Sequence, residues 1–157
     1  MKKAFDYTGS IILGMHDAIV SLTGMIAGLS FAFTDSNVII LSCIISSITA
    51  SLSMGAANYL AVKATNKKHA IRAALCTCVA YMITCVILIL PFLMFQNRLI
   101  AVASVFVLSV LIIYFFNFIF FGNDRFYKHF YEMLTICFAV SLVAFLIGEA
   151  AKYLFNM

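Results

Sequence analysis

Apolar positions in this chain fall into five long blocks separated by short polar breaks. The blocks run over about residues 11–33, 38–62, 73–95, 99–121 and 133–155, and the breaks read TDSN, KATNKKHAIR, QNR and GNDRFYKH. Each block can cross a hydrocarbon layer of ~30 Å at ~1.5 Å per residue. The runs are continuous, without the alternation of barrel strands, so they predict helices. The expected fold is an all-α membrane protein of five transmembrane helices, a single transmembrane domain over residues 1–157.

Composition agrees. The 157 residues are 65% hydrophobic and 10% charged, where a soluble domain would carry about 25% charge. A net charge of +4, scattered along the chain, argues against nucleic acid as a partner. Its placement predicts orientation instead. With the N-terminus cytoplasmic, Lys2, Lys3, Lys63, Lys67, Lys68, Arg72, Arg125 and Lys128 lie inside, and only Arg98 and Lys152 outside. That asymmetry predicts N-terminus in and C-terminus out. The opening MKKAF precedes a block holding His16 and Asp17 and no small-x-small cleavage site, so it is expected to be retained. Cys43, Cys76, Cys78, Cys85 and Cys137 all fall in apolar blocks without a Cys-x-x-Cys pair, and read as small packed hydrophobes. There is no nucleophile–base pair, phosphate loop or zinc spacing, so no enzyme is expected. The short loops favour a bacterial cytoplasmic membrane, with the basic loop after the second block lying against anionic headgroups.

Chemistry concentrates in the first two blocks. The first, SIILGMHDAIVSLTGMIAGLSFA, carries Asp17 well inside it. A carboxylate there costs roughly 2.5–3.5 kcal/mol on insertion scales and reads as functional by default. Helical steps of four, three and four put Ser21, Gly24 and Gly28 on its face. In the second block, Ser47, Ser51, Met54 and Asn58 repeat that spacing. Close packing through small residues would explain this stripe; so would a cation path in which it faces Asp17. Asp17 sits ~9 Å and Met54 ~12 Å from the cytoplasmic ends of two antiparallel spans, so they can meet at one level. Carboxylate oxygen suits Mg²⁺, Ca²⁺ or Mn²⁺ and thioether sulfur suits softer ions, with Fe²⁺ a compromise. One Asp and one Met are too few ligands, but a two-fold dimer would double the set.

These residues resemble a known family. ILGMHDAIVSLTGMIAGLSFA and ITASLSMGAANYLAVKA are similar to the first- and second-helix signatures of the vacuolar iron transporter family, ILPFLMF with Pro91 to its third helix, and LIGEAAKYLF weakly to its last. The resemblance implies a homodimeric secondary carrier moving Fe²⁺, and often Mn²⁺, out of the cytoplasm, with protons as counter-ion and no permanently bound cofactor. Asp17 and Met54 match the family's membrane-embedded metal residues. Ser46 and Asn58 stand where the family commonly has Glu, and a short basic loop replaces an acidic metal-binding domain between the second and third helices. The chain therefore resembles a minimal member.

Other polar residues carry two readings each. Glu149 with Lys152 reads as an i,i+3 pair near the outer surface, or as an exit-side cation or proton site. Met25, two turns above Asp17, could extend a thioether ladder or simply pack. His16 points away from the face of Asp17; His69 and His129 read as solvated; Asn117, in YFFNFIFF, is expected to bond across helices. Two other functional classes remain beside the carrier: a scaffold or modulator dimer in which Asp17 pairs structurally, and a proton-coupled small-molecule exporter.

Overall fold

The computed structural model describes residues 7–155 except 34 and 66, with backbone alone for residues 121–126 and 155. Lys2, Lys3 and the Arg125 side chain, all used above for orientation, lie outside the described residues. Helix α1 spans Thr8–Ala32, α2 Ser36–Thr65 and α3 Ala70–Met94. A last helical run covers Arg98–Phe155. Phe106 nevertheless stacks on Phe138 with ring centroids 6.1 Å apart, and Tyr114 meets Phe130 edge-on at 6.2 Å. In a straight helix Phe106 and Phe138 would be ~48 Å apart. The run therefore folds back between residues 120 and 127, giving α4 (Arg98–Phe120) and α5 (Tyr127–Leu154). The described residues thus contain five helices long and apolar enough to cross a membrane, and no strand.

Every helix starts earlier than the apolar pattern suggested, and at α2 and α4 a polar residue just before the helix satisfies the first turn. The Asp35 carboxylate accepts the Asn37 N–H at 2.8 Å, and Asn97 Oδ1 accepts the Leu99 N–H at 3.0 Å. Both supply a side-chain acceptor to otherwise unpaired first-turn donors. Arg98 Nη1 donates to the Phe33 carbonyl at 2.6 Å and ties the α1–α2 turn to the start of α4. Pro91 sits in the last turn of α3, where the helix ends four residues later on a bond from the Phe95 N–H to the Pro91 carbonyl.

Helix α1 is central, packed on α3 and on the α4–α5 hairpin, while α2 lies mainly along α3. Its contacts depend on missing side chains. A Cβ on Gly14 would strike the Thr77 carbonyl, and one on Gly148 would strike the backbone of Gly28. The small face at Gly24 and Gly28, expected to admit a partner helix, is thus covered by α5 of the same chain through Val140, Ala144 and Gly148. Outward-facing residues such as Leu52, Leu60, Leu93 and Ile119 are strongly exposed apolar side chains, as hydrocarbon contact requires.

Candidate metal-path site

Asp17 is the tenth residue of α1's 25, close to the helix midpoint and deeper than the apolar block alone indicated. It is half-buried and opens into a shallow groove lined by Ile12, Leu13, His16 and Val20 of α1 and Ile136 of α5. Among the described residues, no hydrogen bond or ion pair satisfies its carboxylate. His16, the residue before it, lies within electrostatic reach. Both side chains nevertheless line the same groove. The His16 ring stands beside the Met133 backbone, with Nε2 shut off from solvent and unpartnered.

One turn on, Ser21 Oγ donates to the Asp17 carbonyl at 2.6 Å and lies 2.7 Å from the Tyr81 hydroxyl. Tyr81 is the twelfth residue of α3, is almost fully buried, and stands with Cys85 within electrostatic reach of Asp17. The sequence reading did not single out Tyr81 or Cys85. A signal existed for Tyr81: a tyrosine at mid-span, away from the interfaces where tyrosines collect, needs a partner for its hydroxyl.

The α2 stripe behaves differently along its length. Asn58 is buried, and its Nδ2 donates to Thr77 Oγ1 (2.7 Å), Ser10 Oγ (3.0 Å) and the Ala73 carbonyl (3.3 Å). That network pins the register of α2 against α1 and α3. Counting helical rise from Asn58 and Ser10, Met54 stands ~6 Å and Asp17 ~10 Å deeper, so they differ in level by about one turn. Met54 is half-buried against the hydrophobic core. Within one protomer, Asp17 and Met54 share no hydrogen bond and no groove. Ser51 is buried with its carbonyl accepting from Cys78 Sγ at 3.2 Å, and Ser47 lies buried beside Cys85.

Met25 lines a groove between α1 and α5 with Gly24, Gly28, Ala144 and Gly148. Glu149 and Lys152 are exposed and form no ion pair with each other, so the expected i,i+3 pair is corrected: both side chains project outward. His129 and His69 are more engaged than solvated residues would be. His129 Nδ1 lies 3.4 Å from Glu132, and His69 Nδ1 2.8 Å from the Tyr7 hydroxyl. Among the described residues, no three His, Cys, Asp or Glu side chains converge on one point.

A family model described as the VIT family matches residues 8–70, which cover α1, α2 and the loop to the first residue of α3. Over that stretch, under half of the chain, the protein is similar to the vacuolar iron transporter family. No curated protein matches the chain. The matched stretch holds both Asp17 and Met54. At the level of the family, a VIT chain is a membrane transporter of metal ions, and the family's members are transporters, not enzymes. In this chain residues 66–69 are all that separates α2 from α3.

Proposed function

We propose that the chain is a secondary carrier for divalent metal, Fe²⁺ or Mn²⁺, moving it out of the cytoplasm in exchange for protons along a path between two copies. The observation that carries this reading is Asp17 itself: a mid-span carboxylate, open to a groove beside α1 and unpaired among the described residues of its own protomer. Leaving such a group in hydrocarbon is costly, so something must answer it. Among the described residues no three His, Cys, Asp or Glu side chains converge, so we take the donors around Asp17 to come from two chains. A two-fold axis beside α1 would bring two Asp17 carboxylates together. Met54, about one turn away in level, would supply a thioether from each copy. Mixed oxygen and sulfur donors suit Fe²⁺ and Mn²⁺ better than Mg²⁺. The N-terminus is taken as cytoplasmic and the C-terminus as outside, in a bacterial cytoplasmic membrane.

The test is metal flux into proteoliposomes. The full chain should move Fe²⁺ or Mn²⁺, and Asp17→Asn, which keeps the shape and removes the charge, should abolish that flux. A chain that moves no metal, with Asp17→Asn changing only its self-association, would be a scaffold instead.

A further inference from the structure

Helix α3 begins beside positive charge that its surroundings do not answer. Lys67 and Lys68, in the turn before it, and Arg72, in its first turn, are all exposed. Among the described residues no ion pair holds any of them, and residues 36–96 include no Asp or Glu. Below Arg72 an open groove of about 380 Å³ runs between α1 and α3, lined by Ile11, Leu75, Cys76, Val79, Ala80 and Ile83. Leu75, Cys76, Val79 and Ile83 stand three, four, seven and eleven residues beyond Arg72, so they continue its face of the helix. From Arg72 to Ile83 the helix rises ~16 Å, close to the ~15 Å depth of one hydrocarbon leaflet. The walls are held together at two levels. The Tyr7 hydroxyl, 2.8 Å from His69 Nδ1, ties the start of α1 to the residue before α3. Deeper, the two backbones touch where Gly14 meets Thr77.

We propose that this groove binds an anionic phospholipid of the leaflet on the side of the α2–α3 turn. Its headgroup lies against Arg72, Lys68 and Lys67, and one acyl chain follows residues 75–83. The apolar walls contribute packing and no hydrophobic gain, since lipid surrounds the helices either way. Selectivity therefore comes from the basic mouth. A guanidinium can offer a phosphate two N–H donors at once, and each basic residue at the headgroup level is worth about five-fold in affinity for anionic lipid. The groove shares no lining residue with that of Asp17, and the proposal does not rest on the carrier reading.

The chain has no tryptophan, so a single introduced one reports only on its own surroundings. Leu75→Trp places it in the groove. Leu60→Trp places it on α2 at a strongly exposed position outside the groove, one turn from Lys63. Both lie ~7.5 Å from the helix ends that meet at the α2–α3 turn, so a diffuse positive field would act on both. Each full-length variant is reconstituted in phosphatidylcholine vesicles containing dibrominated phosphatidylglycerol or dibrominated phosphatidylcholine, whose bromines quench tryptophan on contact. At Leu75→Trp phosphatidylglycerol should be preferred by about five-fold or more, whereas at Leu60→Trp the two lipids should quench nearly alike. Adding Arg72→Gln should lower the preference in the groove by about five-fold, and Arg72→Lys, which keeps the charge, should retain most of it. Should Leu75→Trp not fold, Ile83→Trp reads the same acyl chain deeper in the leaflet. Equal quenching by the two lipids in the groove, or a preference that survives Arg72→Gln, overturns the proposal. An equal preference at Leu60→Trp overturns it too, since that is the mark of a diffuse field.

Discussion

The Tyr81 hydroxyl lies 2.7 Å from Ser21 Oγ, and Ser21 in turn donates its one proton to the Asp17 carbonyl at 2.6 Å. Proton counting therefore makes Tyr81 the donor to Ser21. The result is a relay from α3 to the turn of α1 that carries Asp17, holding that turn in place at mid-membrane.

Tyr81→Phe removes the donor and keeps the ring. It should lower stability by about 0.5–1.5 kcal/mol, the usual net worth of one hydrogen bond, and reduce metal flux several-fold without abolishing it. Thermal unfolding in detergent and proteoliposome flux measure the two effects. Full flux at unchanged stability would remove the relay from the site.

Gly14 lets the backbones of α1 and α3 touch, since a Cβ there would meet the Thr77 carbonyl. Gly14→Ala should cost about 1–3 kcal/mol as an overpacking change. Gly9, with open space around its α-carbon, is the control: Gly9→Ala should be neutral or slightly stabilising. Comparing the two unfolding transitions separates close approach from general helix propensity.

Asn58 is the strongest case for a packing role within the α2 stripe. Asn58→Ala leaves Ser10 and Thr77 without their shared donor and should cost about 1–3 kcal/mol. Its effect on flux should follow the loss of folded protein, with the affinity for metal unchanged. A changed metal preference in the folded fraction would return Asn58 to the path.

Much of this was legible because membrane helices advertise themselves by length and apolarity. Asp17 stood out for the same reason, a lone charge where charges are costly. The α2 stripe was harder to read. Spacing put Ser47, Ser51, Met54 and Asn58 on one face, but could not tell whether α1 or α3 lay against it. Asn58 bonds to Ser10, Thr77 and Ala73 together. Such a network depends on three-helix geometry that no single segment encodes. His16 was read from a helical-wheel angle, which carries no information about α5, whose Ile136 lines the same groove as His16 and Asp17. Glu149 and Lys152 have the right separation for a pair, yet both project outward, and exposed pairs of this kind gain little from closing.

The last prediction concerns the second copy. Leu13, Asp17 and Ser21 follow one another at intervals of four along α1, with Leu13 and Ser21 exposed and Asp17 half-buried. They are therefore neighbours on a single outward edge. If two chains meet across that edge, a residue near the axis must come close to its own counterpart. Leu13→Cys, in a background with the five native cysteines replaced, should then form a disulfide-linked dimer under mild oxidation in the membrane. A disulfide needs Cα atoms about 4.4–6.8 Å apart, so the reaction is selective for positions at the axis. Leu93→Cys, strongly exposed on α3, is the matched control and should stay monomeric on the same gel. Cross-linking should also be stronger in native Asp17 chains with Fe²⁺ or Mn²⁺ present than after chelation, because a shared cation draws the two carboxylates together. Equal cross-linking at both positions would point to collision in the membrane, and none at Leu13 would move the interface away from Asp17, taking the two-fold metal path with it.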